Sequence, residues 1–143
     1  PAPIRLYFAL RVALALVAVV GLDARFARHH RNGVALQVGL LAMGLSLAPV
    51  EGHQLPQLTC VRIPDGIDDL VVRKRLLADW GIEIGGGLGS LKGKAWRIGL
   101  MGHGSQRSSV TLALSALETS LRELGHKLNP GAALEAASAV YAA

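Results

Sequence analysis

The sequence predicts an α/β protein in which a small, mostly antiparallel sheet is covered by helices. Three observations predict it. Short β-prone runs alternate with longer helical ones along the chain. Residues 82–84 and 95–100 form two such runs on either side of a glycine-rich turn, and residues 58–63 form a third, the most strand-like. Residues 106–124 then carry Val110, Leu114, Leu117, Leu121 and Leu124 on one helical face, and Gly125 stops that helix. At 143 residues, 51% of them hydrophobic, the chain is long enough for one domain with a real core.

The remaining elements follow in order. Residues 4–20 favour helix, Gly21 breaks it, and Asp23 is placed to cap a second helix reaching about residue 43. Leu22, Phe26, Val34, Val38 and Leu41 recur on that helix at core-stripe spacing. Residues 45–47 read as a short strand, and residues 51–57 as a loop because of Gly52 and Pro56. Pro64-Asp65-Gly66 is a turn launching a helix over 67–80, with Leu70 and Leu77 among its inward residues. Asn129-Pro130-Gly131 is a further break, followed by an alanine-rich helix over 132–141. No internal repeat or long disordered linker interrupts this order.

Composition excludes several classes of function. The single cysteine, Cys60, forms no intrachain disulfide; in a strand-like run it reads as a small buried hydrophobe, compatible with a reducing cytoplasm. The net charge of +5 raises nucleic acid as a partner. Arg25, Arg28 and Arg31 on one helix side and the run Arg73-Lys74-Arg75 lack interleaved aromatics or a recognised motif, so they read as solvated faces and no nucleic-acid partner is expected. The uncharged run 12–22 is shorter than the roughly 20 residues of a membrane span and suits a buried helix. A secretory signal, with Arg5 and Arg11 as its basic region, is the rival reading. The chain opens on Pro1 rather than methionine, which favours a piece of a longer protein.

Chemistry concentrates around Ile82-Glu83-Ile84-Gly85-Gly86-Gly87-Leu88-Gly89 and Ala95-Trp96-Arg97-Ile98-Gly99-Leu100. A guanidinium between Trp96 and Ile98 suits a half-buried anion site; an ion pair with Glu83 on a neighbouring strand is the alternative. Gly85, Gly86 and Gly87 are not followed directly by a helix, so they are no phosphate cradle. They read as a close-approach segment at a substrate entrance, where glycine permits positive φ and leaves room. His29, His30, His53, His103 and His126 lack metal-ligand spacing, and no metal is expected. Lys74, Lys92, Lys94 and Lys127 sit where a lysine stays exposed.

The pair of motifs around Gly85 and Arg97 resembles the C-terminal part of the class V pyridoxal-phosphate aminotransferases, in particular the alanine/serine–glyoxylate group. Ala9-Leu10-Arg11, Gly21-Leu22-Asp23-Ala24-Arg25-Phe26-Ala27-Arg28-His29 with Asn32, Leu55-Pro56-Gln57-Leu58-Thr59 and Gly131-Ala132-Ala133-Leu134 are similar to that group in order and spacing. The resemblance implies the small C-terminal domain of a fold-type I aminotransferase. Residues 1–20 would form the junction with a large domain, 21–125 the small domain and 126–143 a helical tail. It implies pyridoxal 5'-phosphate as cofactor, a homodimer in the cytoplasm, and transfer of an amino group from alanine or serine to glyoxylate in two half-reactions.

Arg97 matches the family arginine that binds the α-carboxylate of the amino-acid or oxo-acid substrate, a task suited to a two-point fork. No lysine here matches the Schiff-base lysine, so the chain alone is expected neither to hold the cofactor nor to transaminate. Pro1 stands where relatives carry a phosphate-clamping threonine, and Val19-Val20 replaces a pair usually acidic or polar, leaving the first helix apolar all round. The rival from another class is a non-enzymatic α/β module in which Arg97 and the glycine-rich turn hold a small anion or a partner.

Overall fold

The computed structural model describes residues 2–143; Pro1, and with it the reading of that position as a departure from a phosphate-clamping threonine, lies outside the described residues. Strand β3 (Ala95–Gly99) is central in a three-stranded antiparallel sheet of order β1-β3-β2, with β1 at Leu58–Arg62 and β2 at Gly85–Gly86. Alternation along β3 gives the sheet two different faces. Trp96, Ile98 and Leu100 turn into the core, whereas Arg97 and Gly99 turn to the opposite side, where they are half-buried and exposed. Register places Cys60 and Gly85 on either side of Arg97, and Val61 and Gly86 on either side of Trp96.

Helices fill the core side. They are α2 (Leu22–Ala42), α3 (Asp69–Trp80), α4 (Arg107–Glu123) and α5 (Ala132–Ala142). Leu36 and Leu40 of α2, Val72 and Leu76 of α3, and Val110, Leu114, Leu117 and Leu121 of α4 join Trp96 and Val61 in one cluster. The predicted face of α4 is the buried one, with Leu124 partly buried at its end and Gly125 at φ +81° closing it. A short bridge from Leu47 to Val61 stands where a strand over 45–47 was expected.

Helix α2 departs from its expected stripe. Leu22, Phe26 and Leu41 are more than half exposed, and the buried face runs through Asn32, Gly33, Ala35, Leu36, Gly39 and Leu40. Close approach explains the rotation. A Cβ on Gly33 would sit 2.5 Å from the Pro56 carbonyl oxygen, and one on Gly39 would meet Leu114 at 2.5 Å and the Ala133 carbonyl at 3.0 Å. The small face is what lets α5 and the 51–57 loop lie against α2. Asp23 lies in the first turn and caps nothing; Gly21 is the N-cap residue.

Helix α3 begins two residues later than predicted because Asp68 is its cap, accepting from the Val71 N–H at 2.9 Å. Leu70 and Leu77 face solvent, and Val72 and Leu76 point inward instead.

Helix α1 (Ile4–Val20) is apolar apart from Arg5 and Arg11 and buries no residue. It meets α2 at 88° across Gly21 (φ +80°). Among the described residues, no single helix is long and apolar enough to cross a membrane.

Candidate functional site

Arg97 is held by the backbone of the neighbouring strand. Its Nε–H donates to the Gly86 carbonyl at 2.8 Å, which aims the guanidinium along the face away from the helices and leaves the Nη1/Nη2 edge of the fork clear of that bond. A Cβ on Gly85 would lie 3.1 Å from Nη2, so glycine there makes space for the arginine. Among the described residues no carboxylate stands within ion-pair distance of Arg97, and the alternative partner Glu83 is not bound to it.

The glycines are not the turn the sequence suggested. Gly85 and Gly86 are the strand itself, and Gly87 extends the ladder by donating to Ala95 O at 2.8 Å. Residues 82–84 lie outside it. None of Gly85, Gly86 and Gly87 has positive φ; what they supply is room. At Gly87 a Cβ would be 2.0 Å from the Leu91 carbonyl oxygen, so the returning loop closes directly over it. Cys60 is likewise corrected. It is half-buried and shares the face of Arg97, because Leu58, Cys60 and Arg62 turn away from the core while Thr59 and Val61 turn into it.

Behind β2, on the core face, lies a cluster that sequence reasoning missed. Asp69 accepts from Arg73 twice, Nε at 2.8 Å and Nη2 at 3.1 Å, and from the indole N–H of the fully buried Trp96 at 3.0 Å. These two side chains cover Gly86, whose Cβ would lie 3.4 Å from Asp69 Oδ2 and 3.6 Å from the Arg73 guanidinium. An Asp and Arg four apart on a predicted helix was the available signal, but it announces an ion pair and not the indole it meets.

The Arg73 hydrogen bond holds the Asp69 carboxyl below its ordinary 3.8, against burial, which pushes it up; the charge of Arg73 and the Trp96 N–H add to the lowering. Arg73 is raised in turn, chiefly by Asp69, with Glu83 adding to the field. A carboxylate whose pKa is depressed on folding contributes stability above its unfolded pKa, and that contribution is lost as pH falls through the folded value. Asp69→Asn should therefore lower Tm by a few degrees near neutral pH. The gap to the native chain should close as pH drops below the ordinary carboxylate range, as melting curves across pH would record.

The other charged side chains are more tied down than solvated faces would be. Arg31 donates to the Val140 and Tyr141 carbonyls at the end of α5, where a cation also suits the helix dipole. Arg28 Nη2 reaches Gly102 O at 3.2 Å, and Arg75 pairs with Glu123 at 2.7 Å, joining α3 to α4. Lys74 of the same run is exposed. His29 donates from Nδ1 to Arg25 O at 2.7 Å and accepts at Nε2 from the Gly102 N–H at 3.2 Å, which makes it a structural tie in its neutral form. His103 is exposed beside Gln106. No group of three His, Cys, Asp or Glu side chains that would hold a metal occurs among the described residues.

Two clefts of about 650 and 620 Å³ lie where the end of α1 faces the start of α2 and Gly102. Arg97 lines neither of them. Its face is open, and its chemistry is that of a prepared surface rather than an enclosed cavity. Lys74, Lys92, Lys94 and Lys127 are all exposed, so none has the buried setting that a Schiff base to an aldehyde cofactor needs. The described residues do not fit pyridoxal phosphate as its anchor.

No protein-family model matches the chain. Individual relatives do. The chain is 44% identical to (S)-ureidoglycine–glyoxylate transaminase of Bacillus subtilis, over 94% of its own length and 32% of the relative. The crystal structure of that enzyme superimposes with a TM-score of 0.92, at 43% identity, over 95% of this chain and 35% of that one. The structure of alanine–glyoxylate aminotransferase from Nostoc sp. gives a TM-score of 0.82 at 50% identity, over 85% of this chain and 32% of that one. A protein of Synechococcus sp. named soluble hydrogenase, small subunit, is 37% identical over 96% of this chain and 36% of the relative. The chain thus spans about a third of the length of the relatives it matches. It is homologous to the class V aminotransferases and carries the α/β fold of their C-terminal part.

Proposed function

We propose that this chain is the substrate-closing part of a pyridoxal-phosphate aminotransferase that moves an amino group from alanine or serine to glyoxylate or a similar small oxo acid. The observation that carries the reading is the state of Arg97, oriented by Gly86 O through Nε, unpaired with any described carboxylate and facing away from the core. Because its Nε–H is already spent on the backbone, a substrate carboxylate would be taken by Nη1 and Nη2 together, the end of the fork. Gly85 keeps that approach free of side chain. Glyoxylate occurs in the names of both the Bacillus and the Nostoc relatives, which supports it as acceptor. Small acids with an α-carboxylate, donor or acceptor, offer the same handle to Arg97 in both halves of the exchange.

Pyridoxal phosphate supplies the electron sink for such chemistry. Its anchoring is assigned to the part of the protein beyond this third, with 1–20 as the junction, 21–125 as the small domain and 126–143 as a helical tail. A homodimer in the cytoplasm is the proposed setting, compatible with the free thiol of Cys60. Incubating the whole protein with alanine or serine, glyoxylate and pyridoxal phosphate, and measuring glycine formed, tests the activity. Glycine should accumulate with stoichiometric pyruvate or hydroxypyruvate. No exchange with any small amino donor would favour the non-enzymatic anion-binding module.

The chain alone is expected to bind pyridoxal phosphate neither covalently nor tightly. Its visible spectrum with the cofactor should return to that of protein alone after dialysis. A stoichiometric absorbance band that survives dialysis, with one lysine labelled on borohydride reduction, would contradict this.

A further inference from the structure

We infer that the Asp69–Arg73 pair is a positioning device for Arg97, acting through Trp96 and the two-residue strand β2; the inference rests on Arg97 being the carboxylate site. Strand β2 has unusual need of such a device. It consists of two glycines, which carry no side chains to pack and lose the most backbone freedom on ordering. Yet Gly86 supplies the carbonyl that orients the Arg97 Nε–H at 2.8 Å.

The missing packing on the core face of β2 comes from α3. Asp69 Oδ2 and the Arg73 guanidinium line the core face of Gly86, 3.4 and 3.6 Å from where a Cβ would stand. Asp69 Oδ1 also takes the indole N–H of Trp96, the residue next to Arg97 and in register with Gly86. One carboxylate therefore ties α3 to the central strand at Trp96 and, with Arg73, lies against Gly86 of β2. Arg73 is locked against Asp69 at two points, so its planar group is a fixed wall and not a mobile chain. Removing it would free Gly86 to shift and let the Arg97 fork rotate off its line, although Arg97 itself hydrogen-bonds to Gly86 and to neither residue of the pair.

Nuclear magnetic resonance of the Arg97 Nε–H in this chain, with glyoxylate and acetate as carboxylate probes, tests the inference. In the native chain that proton should exchange slowly, and the resonance should shift on titration with either carboxylate. Asp69→Ala should speed its exchange by about tenfold, the worth of one ordinary hydrogen bond, and weaken the probes by a similar factor. Asp69→Asn, which keeps an acceptor for Trp96 but loses the charged pair, should fall between. Leu76→Ala serves as the control for a merely structural loss. It opens the core from the same helix and should lower Tm at least as far while leaving Arg97 exchange and probe affinity unchanged. A response of Arg97 to carboxylate that is equally weakened by Leu76→Ala and Asp69→Ala, or untouched by Asp69→Ala, would overturn the positioning role alone. No response of Arg97 to carboxylate in the native chain would overturn both that role and the carboxylate site.

Discussion

Arg97→Ala in the complete enzyme is expected to lower kcat/KM for alanine and glyoxylate by about ten- to 150-fold, from the roughly 1.5–3 kcal/mol of hydrogen bonds to a charged group. The variant leaves the substrate carboxylate without a partner in a partly dry site. Arg97→Lys keeps the charge but replaces a planar fork by a point donor, and it should fall between alanine and the native residue. The lysine chain also lacks an Nε–H to bond Gly86 O, so its ammonium has nothing to fix its direction. Cofactor affinity should change little, because in this account the arginine meets substrate and not phosphate. Steady-state kinetics with a cofactor titration and a melting curve separate the readings. Unchanged kcat/KM, or a defect explained wholly by unfolding, would return Arg97 to a structural part.

The chain on its own is expected to self-associate through α1. Its accessible surface is 8930 Å², whereas a compact monomer of 15.0 kDa exposes ~7,000 Å². The difference is the signature of an element that stands away from the body. Ile4, Leu6, Phe8 and Val12 are each about 60% or more exposed. Burial of apolar surface is worth ~25 cal/mol per Å², so covering even a few hundred Å² drives association by several kcal/mol. Light scattering should show oligomers of the full chain and a predominantly monomeric species once residues 1–20 are removed. Equal monomeric behaviour of the two would sink the argument. The departure at Val19-Val20 belongs here, since both residues are exposed and add to the uncovered surface.

The helices were legible where large apolar residues do the packing. In α4 the periodic valine and leucine positions are the buried ones, so pattern and structure agree. In α2 they do not, because the close contacts with Pro56 and with Ala133 of α5 are made by Gly33 and Gly39, and a reading weighted by hydrophobic size follows the wrong stripe. Strand β2 was misplaced for a related reason. Ile82 and Ile84 have the stronger β propensity, but the residues in register with Arg97 and Trp96 are Gly85 and Gly86, and a Cβ on Gly85 would crowd the Arg97 guanidinium at 3.1 Å. Arg97 stood out as a charge in an apolar strand, and the sequence left its partner open between Glu83 and an external anion. The backbone bond to Gly86 was not readable, since a carbonyl acceptor has no residue-type signature. The tie from Asp69 to Trp96 spans 27 positions and leaves no local periodicity to find.

The measurement that bears most directly on the carboxylate site is a crystal structure of the whole protein with an unreactive α-carboxylate analogue of the substrate. The account predicts Nη1 and Nη2 of Arg97 each on one carboxylate oxygen at about 2.7–2.9 Å, with Nε still on Gly86 O. A carboxylate bound elsewhere, with Arg97 paired to Glu83 or left to solvent, would contradict it.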